Sequence, residues 1–249
     1  MLYIQKATQV TFSADHEIEY LAGLYAYPDA PDRPWVRANM VTTLDGATAV
    51  EGTSGGLGGP GDKTVFRVLR GLADVVLVGA RTALTEDYRQ PAPDAQFGPR
   101  RTANGQAPAP ALALVSRSLA LDLRYGPLTH RDTTVLTCRS ADPQRRRQLT
   151  ALGARVVDCG ADTVDPAEVI AYFARIGQRR VLCEGGPRLL GSVIAADVLD
   201  ELCLTISPNV AAGDAARIAH TGDDGRLHGL RAAHILTDDD GFIFSRWTR

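Results

Sequence analysis

The chain has 249 residues, of which 45% are apolar and 22% are charged, and its formal net charge at pH 7 is −2. This length and apolar content suffice for one large domain or two small ones, each with a sizeable core. The near-neutral charge argues against a protein that coats nucleic acid, and no window approaches the roughly 18 apolar residues that a membrane-spanning helix needs.

Lysine is rare in this chain. Only Lys6 and Lys63 are lysines among the 27 lysine and arginine residues. Codon bias is the simplest explanation. The scarcity still has a chemical consequence, because a Schiff-base mechanism of the pyridoxal type would have to use one of these two residues. Lysine-based catalysis is therefore disfavoured.

The cysteines and the N-terminal residues indicate a cytoplasmic protein. Three of the four cysteines lie in or beside apolar, strand-like runs, where cysteine usually acts as a small buried hydrophobe. The four are Cys138, Cys159, Cys183 and Cys203. None forms a C-x-x-C pair, so we expect reduced thiols and no metal site. The N-terminal residues lack a long apolar stretch and carry acids early, so no signal peptide is expected.

The order of apolar runs predicts an α/β fold. A segment of residues 1–33 precedes a single domain of residues 34–249, in which strand-like runs alternate with helix-like windows. The predicted strands are Val36–Thr42, Asp74–Val78, Ala111–Val115, Thr133–Thr137, Arg155–Val157, Arg180–Cys183, Leu202–Ile206, Ala233–Leu236 and Phe242–Ser245. The predicted helices are Asp62–Leu72, Pro143–Leu152, Pro166–Ile176 and Leu189–Val198. This alternation predicts a three-layer sandwich with a mixed, mostly parallel central sheet and helices on both faces.

Local signals predict how several elements begin and end. Asp142 and Asp165 each precede a proline, the pattern of an N-cap followed by proline at the first helical position. An acidic turn ending in glycine, residues 238–241, separates the last two strands and is typical of a hairpin, so one end of the sheet should be antiparallel. Residues 90–110 are rich in proline and predict a long surface loop. The arginine run at 145–147 predicts a solvated helix face.

A glycine-rich segment, residues 55–61, lies between the first predicted strand and Asp62. Its spacing matches the G-x-G-x-x-G fingerprint, but roughly a dozen residues separate it from the strand, whereas the fingerprint joins strand to helix directly. Asp62 also stands where a P-loop has lysine, and an acid there would repel phosphate. A loop that closes over a ligand is therefore favoured over a phosphate cradle.

Two predicted strands end in glycine turns that suit an anion. One runs into Gly79, Arg81 and Thr82, and the other runs into Glu184 and the Gly-Gly pair that follows it. Free N–H groups at such ends favour an anion, arginine adds a fork suited to phosphate, and paired glycines let a ligand approach the backbone. Two such ends in one sheet suit a dinucleotide, although each alone also fits a plain turn.

Taken in order, these segments resemble the reductase domain of riboflavin biosynthesis, which has the dihydrofolate-reductase fold. The matching stretches are Asn39–Gly46, Ser54, Phe66–Thr82, Leu182–Leu190 and residues 200–208. The turn after the second strand, with Glu86 and Tyr88 following it, is similar to that of the stand-alone pyrimidine reductases of this family. Bifunctional relatives carry a zinc deaminase before this domain, but its H-x-E and P-C-x-x-C motifs do not occur in the chain.

The resemblance implies NADPH as the hydride donor, a small-molecule substrate and a homodimer, with the last strands as a candidate contact. No nucleic-acid or membrane partner is expected. The implied cofactor contacts are Val41, Gly79, Arg81, Thr82, Glu86, Ser116, Gly185, Gly186, Pro187, Arg188, Leu189 and Leu190. The expected substrate contacts are Asn39, Ser54, Asp62, Arg70 and Glu184.

Three positions depart from the family pattern. Asn39 stands where the family often has a lysine on its first strand. The arginine that commonly helps hold a ribose phosphate is missing after Glu86, and Arg89 is a candidate substitute. Asp62 is a carboxylate that suits the edge of a pyrimidine or pterin ring and is the candidate catalytic proton donor. Its alternative role is to cap the helix.

Three functional hypotheses follow from these features. The first is NADPH-dependent reduction of a ribosylaminopyrimidine of the 5-amino-6-(5-phosphoribosylamino)uracil type, with hydride delivered to C1′ of the open-chain imine to give the ribitylamino product. The second is a dihydrofolate-reductase-like reduction of a pterin. The third is an NADPH-binding protein without catalysis.

Overall fold

The computed structural model of the protein describes residues 14–29, 31–222 and 225–249. The α-helices are α1 (Ala14–Leu24), α2 (Pro60–Leu72), α3 (Ala80–Thr85), α4 (Gly98–Ala103), α5 (Pro143–Ala151), α6 (Pro166–Arg175) and α7 (Pro187–Ala195). The strands are β1 (Trp35–Thr43), β2 (Val75–Gly79), β3 (Ala111–Val115), β4 (Thr133–Thr137), β5 (Arg155–Asp158), β6 (Arg180–Cys183), β7 (Glu201–Ser207), β8 (Arg231–Thr237) and β9 (Ile243–Thr248).

The strands form one sheet in the order β5-β4-β3-β2-β6-β1-β7-β9-β8. The seven neighbouring strands β5, β4, β3, β2, β6, β1 and β7 are parallel to one another. Strand β9 pairs antiparallel with both β7 and β8. The predicted mixed sheet with an antiparallel hairpin at one end is confirmed. Because β6 inserts between β1 and β2, segments that are far apart in the chain meet at the carboxyl edge of neighbouring strands.

Alternating side chains on each strand divide the core into two layers. Val76 and Val78 of β2 pack with buried residues of α1, α2 and α5 on one face of the sheet. Val75 and Leu77 pack on the other face, with buried residues of α6 and α7. This is the period-two pattern of a sheet buried on both faces, and it confirms the predicted sandwich.

The predicted helix starts at Asp142 and Asp165 are confirmed. Asp142 accepts hydrogen bonds from Gln144 N and Arg145 N at the start of α5, and Asp165 accepts one from Ala167 N at the start of α6. The four cysteines are buried and unpaired. Within the described ranges of the chain, no helix combines the length and the apolar character of a membrane span.

The prediction of a plain surface loop for residues 90–110 is wrong, because helix α4 lies within it and is anchored to the core. The side chain of Arg101 is only 2% exposed. Its guanidinium donates to the carbonyl oxygens of Gly71, Ala73 and Ala107 at 3.0, 2.7 and 2.6 Å. The neighbouring Phe97 packs on Gly71 so closely that a Cβ there would lie 2.4 Å from the Phe97 ring. Three backbone carbonyl groups thus stabilise the buried guanidinium of Arg101, whereas the composition of this segment predicted an exposed loop.

The prediction of a solvated face for the arginines of α5 holds only for Arg147, which is exposed. Arg145 is half-buried and donates from Nε to Leu119 O at 3.2 Å. Arg146 donates to Cys138 O at 2.9 Å and forms an ion pair with Asp158. These two side chains hold α5 to the loops before and after β4, so they serve tertiary structure rather than solvation.

A buried ion network ties the central strands together. Glu201 of β7 accepts hydrogen bonds from Arg37 of β1 and Arg246 of β9 on both carboxylate oxygens, and also from the Trp35 indole. The side chains of Arg37 and Glu201 have no exposed area. Burial alone would raise the pKa of Glu201, but the charges of Arg37 and Arg246 outweigh it, and the pKa lies below its usual value. The network lies on the strands that support the site described next.

Candidate active site

The glycine turns after β2 and β6 are joined at the carboxyl edge of the sheet. Gly79 N donates to Gly185 O at 2.7 Å, and Gly186 N donates to Thr82 Oγ1 at 3.1 Å. Gly185 has a φ of +71°, and a Cβ at Gly186 would lie 2.5 Å from Thr82 Oγ1. Only glycines permit this close approach of the two turns. The structure therefore brings together the two anion-ready ends that the sequence predicted.

Positive charge is concentrated along this edge. Arg81, Arg117 and Arg188 follow β2, β3 and β6, respectively, and all three are exposed. Over the part of the chain that the structure describes, none of them forms an ion pair with an acid. Helix α7 begins at Pro187 with Gly186 as N-cap, and no side chain caps it. Its first N–H groups and the three arginines make this edge suitable for an anionic ligand.

A cavity of about 230 Å³ lies between the end of β1, the glycine-rich segment and α2. Its lining includes five residues that the sequence predicted for the site: Asn39, Val41, Ser54, Asp62 and Glu184. The remaining lining residues are Met40, Thr48, Gly55, Gly58, Lys63, Phe66 and Tyr88. Glu184 directly precedes the Gly185-Gly186 turn, so the cavity adjoins the positively charged edge.

Two predicted substrate contacts bind each other at one wall of the cavity. Arg70 donates from Nε and Nη2 to the two oxygens of Glu184 at 2.8 and 2.7 Å. The guanidinium carbon of Arg70 also lies 4.1 Å from the ring centre of Phe66 and 5.0 Å from that of Tyr88. The Tyr88 hydroxyl is within hydrogen-bonding reach of Glu184, and burial raises its pKa. Arg70 is therefore a partner of Glu184 rather than a free cation.

Asp62 is a half-buried acid in the first turn of α2. Its Oδ2 points back toward the glycine-rich segment, since a Cβ at Gly58 would lie 2.3 Å from it. The Thr205 side chain of β7 lies near enough to the carboxyl group to lower its pKa. Burial raises the pKa of Asp62, and the effects of Thr205 and Lys63 only partly oppose this. The alternative that Asp62 caps the helix is wrong, because α2 begins at Pro60 and its N-cap is Gly59.

The glycine-rich segment is tied to the end of α3 by Glu86. Its Oε1 accepts hydrogen bonds from Ser54 N at 2.8 Å and from Ser54 Oγ at 3.0 Å. A residue expected to contact the cofactor and one expected to contact the substrate are thus bonded to each other. Arg89, the candidate substitute for the family's phosphate-binding arginine, is 81% exposed, pairs with Asp87 and does not line the cavity.

Thr205 is the residue that the sequence reasoning missed. It lies within the predicted strand 202–206, where nothing distinguishes it from other strand residues. In the sheet it is opposite Val41, one of the cavity residues of β1. The signal that finds it is the parallel register of β1 and β7, which places its hydroxyl beside Asp62. Lys63 and Phe66 likewise join the site only because α2 packs over the end of β1.

The sandwich and its cavity at the carboxyl ends of the strands are typical of an α/β enzyme. A family model described as the RibD C-terminal domain matches residues 34–244, and the chain belongs to that family. It is 26% identical over 221 residues to the 2,5-diamino-6-ribosylamino-4(3H)-pyrimidinone 5′-phosphate reductase of Archaeoglobus fulgidus, which covers 87% of this chain and 100% of the relative. The reductase of the same name from Methanothermobacter thermautotrophicus is 28% identical over 192 residues, 77% of this chain and 85% of the relative.

A solved structure shows the same fold. It is described as a pyrimidine reductase-like protein from Corynebacterium diphtheriae and superposes with a TM-score of 0.82 at 25% identity, covering 91% of this chain and 98% of that one. The predicted fold and the predicted family membership are therefore both confirmed.

Proposed function

We propose that the protein uses NADPH to reduce the ribosyl group of a ribosylaminopyrimidine 5′-phosphate to the ribitylamino product. The observation that carries this proposal is the cavity in which Asp62 and Glu184 meet, directly beside the Gly185-Gly186 turn. The names of the archaeal relatives give the class of base, a diaminopyrimidinone.

The edge that follows β2, β3 and β6 fits NADPH. The N-terminus of α7, which follows the Gly185-Gly186 turn, suits a pyrophosphate, because no side chain caps its first N–H groups. Arg81 and Arg117 extend the positive charge to the ends of β2 and β3, which suits a further phosphate. This extra charge favours NADPH over NADH, and the ratio of their dissociation constants measures the preference.

The chain's own part in the reaction is to bind, orient and protonate. When bound, NADPH supplies a hydride, and the C1′=N bond of the open-chain substrate becomes CH–NH by gaining that hydride at carbon and a proton at nitrogen. Asp62 supplies this proton, because burial raises the pKa of its carboxyl group and so favours the protonated form over that of an exposed aspartate.

Glu184 and Asn39 hold the substrate in this proposal. Both Glu184 oxygens are engaged by Arg70, so the carboxylate is fixed in position and accepts hydrogen bonds from hydroxyl or amino groups. Asn39 lines the same cavity and offers both a donor and an acceptor. It leaves the substrate contact on β1 uncharged.

Turnover with purified protein tests the function. The ribosylaminopyrimidine phosphate should oxidise NADPH, and Asp62→Asn should lower kcat by about 10²–10⁴-fold, the usual contribution of a general acid, while the NADPH dissociation constant stays unchanged. Asp239→Asn, on an exposed turn, serves as the matched control. An equal loss in kcat and in NADPH affinity, or no loss, contradicts the assignment of Asp62.

A pterin is the second candidate substrate. The observation behind it is that the Thr205 side chain lies near the Asp62 carboxyl group, since a carboxyl and a hydroxyl together match the donor and acceptor edge of the aminopyrimidine ring that pterins share with the first candidate. Dihydrofolate as the substrate in the same assay separates the two candidates. A kcat/KM for dihydrofolate above that for the ribosylaminopyrimidine phosphate would reverse their order.

We also propose a homodimer formed through β8. This strand lies at the edge of the sheet, and its Ile235 is 57% exposed. An unpaired edge strand with an exposed apolar side chain offers both hydrogen bonds and apolar surface to a second copy. Sedimentation equilibrium of the wild-type protein and of Ile235→Glu measures this, and a monomeric wild type refutes it.

A further inference from the structure

The cavity contains one cation that is not already bound to an acid. Its charged lining residues are Asp62, Lys63 and Glu184. Arg70 donates to both oxygens of Glu184, and the Thr205 side chain lies near Asp62. Lys63 lines the cavity and is an exposed residue. Among the described residues it forms no ion pair.

Over the ranges that the structure describes, Arg67, Arg70 and Arg89 do not offer a free charge to the cavity, and the unpaired Arg81, Arg117 and Arg188 on the adjoining edge do not line it. Arg70 donates hydrogen bonds from Nε and Nη2 to Glu184. Arg67 binds both oxygens of Asp94 at 2.6 and 2.9 Å and does not line this cavity. Arg89 lies outside it, as described above. A dianionic group on a substrate in this cavity therefore has Lys63 as its cationic partner.

We propose that Lys63 is the specificity-determining residue that binds the phosphate of the substrate's ribose chain. This inference rests on the proposed function. A lysine ammonium is a compact charge on a flexible stem and binds phosphate without the fixed fork of an arginine. It stands on α2 one residue after Asp62, so a substrate held by both residues has its phosphate near the opening of the cavity and its reacting nitrogen deeper inside.

The chain that follows Glu86 contributes Tyr88 and no cation to the cavity lining. Tyr88 contacts Arg70 and Glu184 there. The exposed cation among the lining residues stands on α2. One of the two lysines in the chain, Lys63, therefore has a functional role in this proposal.

The test compares two substrates, the ribosylaminopyrimidine 5′-phosphate and its dephosphorylated form. In Lys63→Gln, kcat/KM for the phosphorylated substrate divided by kcat/KM for the dephosphorylated one should fall about 10- to 100-fold, the range expected for loss of one charge-assisted hydrogen bond. The cause should be a higher KM for the phosphorylated substrate, with kcat unchanged. Lys63→Arg should restore most of the ratio, because the positive charge is kept. Arg89→Gln, an exposed cation outside the cavity, should leave the ratio unchanged.

The outcomes separate the two proposals. If the wild type reduces neither substrate, the proposed function fails and the role of Lys63 falls with it. If the wild type reduces both but Lys63→Gln keeps the wild-type ratio, only the role of Lys63 is refuted. A selective loss in Arg89→Gln instead would assign the phosphate to Arg89. Unchanged thermal melting of each variant shows that folding is not the cause of any loss.

Discussion

Replacement of Glu201 by glutamine should destabilise the fold more than any change to a surface ion pair. Arg37 donates to Glu201 at 2.6 and 3.2 Å, and Arg246 donates to it at 2.8 and 3.1 Å. Trp35 adds a fifth hydrogen bond at 3.0 Å. Glutamine has the same size but lacks the charge, and its amide nitrogen would face guanidinium donors. The change therefore keeps the packing and removes the counter-charge.

The magnitude follows from burial. The side chain of Arg37 is 0% exposed and that of Arg246 is 15% exposed, so neither can recover full hydration when the carboxylate is lost. Nη1 of Arg37 is already buried without a hydrogen-bond partner. Removal of one member of a buried ion network typically costs about 3–5 kcal/mol in the free energy of unfolding. We expect Glu201→Gln to fall in this range.

Urea denaturation followed by circular dichroism measures the free energy of unfolding. Asp122→Asn is the control, because it removes an exposed ion pair with Arg124 and should leave the midpoint unchanged. The folded-state pKa of Glu201 lies below its unfolded value, so its contribution is present above the unfolded pKa and is lost as the pH falls through the folded pKa. The difference between wild type and variant should therefore narrow on acidification. A wild-type midpoint for Glu201→Gln at neutral pH would refute the reasoning.

Two further predictions concern the loops around the site. Gly186→Ala places a Cβ 2.5 Å from Thr82 Oγ1. Because such overpacking costs about 1–3 kcal/mol in the free energy of unfolding, this variant should bind NADPH more weakly and have a lower Tm. Gly98→Ala, which has open space around the added Cβ, is the control and should change neither quantity. Asp45 accepts hydrogen bonds from Ala211 N and Ala212 N, and these bonds and that of Thr43 lower its pKa to about 2. Amide exchange at these two alanines should be slower in wild type than in Asp45→Asn at pH values above about 4, the unfolded pKa, and the difference should vanish as the pH falls through about 2. Equal exchange rates at neutral pH would contradict this anchoring role.

The sequence by itself determined the parts of this protein that depend on neighbouring residues. The alternation of apolar runs predicted each of the nine strands in the described part of the chain to within a few residues at each end. Asp142 and Asp165 marked helix starts because a cap binds N–H groups two or three residues away. The glycine turns at 79 and 185–186 were recognisable because their backbone geometry is a local requirement. Helices α1, α3 and α4 were not predicted, and for α3 and α4 the reason is that six residues carry too little periodicity to indicate a helix.

Only the tertiary structure decided how the candidate site residues are used. Arg70 and Glu184 are 114 residues apart in the chain, and they pair because β6 lies between β1 and β2 in the sheet. Thr205 reaches Asp62 because β7 runs beside β1 in a fixed register. A sequence shows which charges exist, but the order of strands determines which charges neutralise one another and which remain free for a ligand. The charge of Arg70 is consumed within the fold, and that of Lys63 is not, because burial and pairing are properties of the assembled sheet.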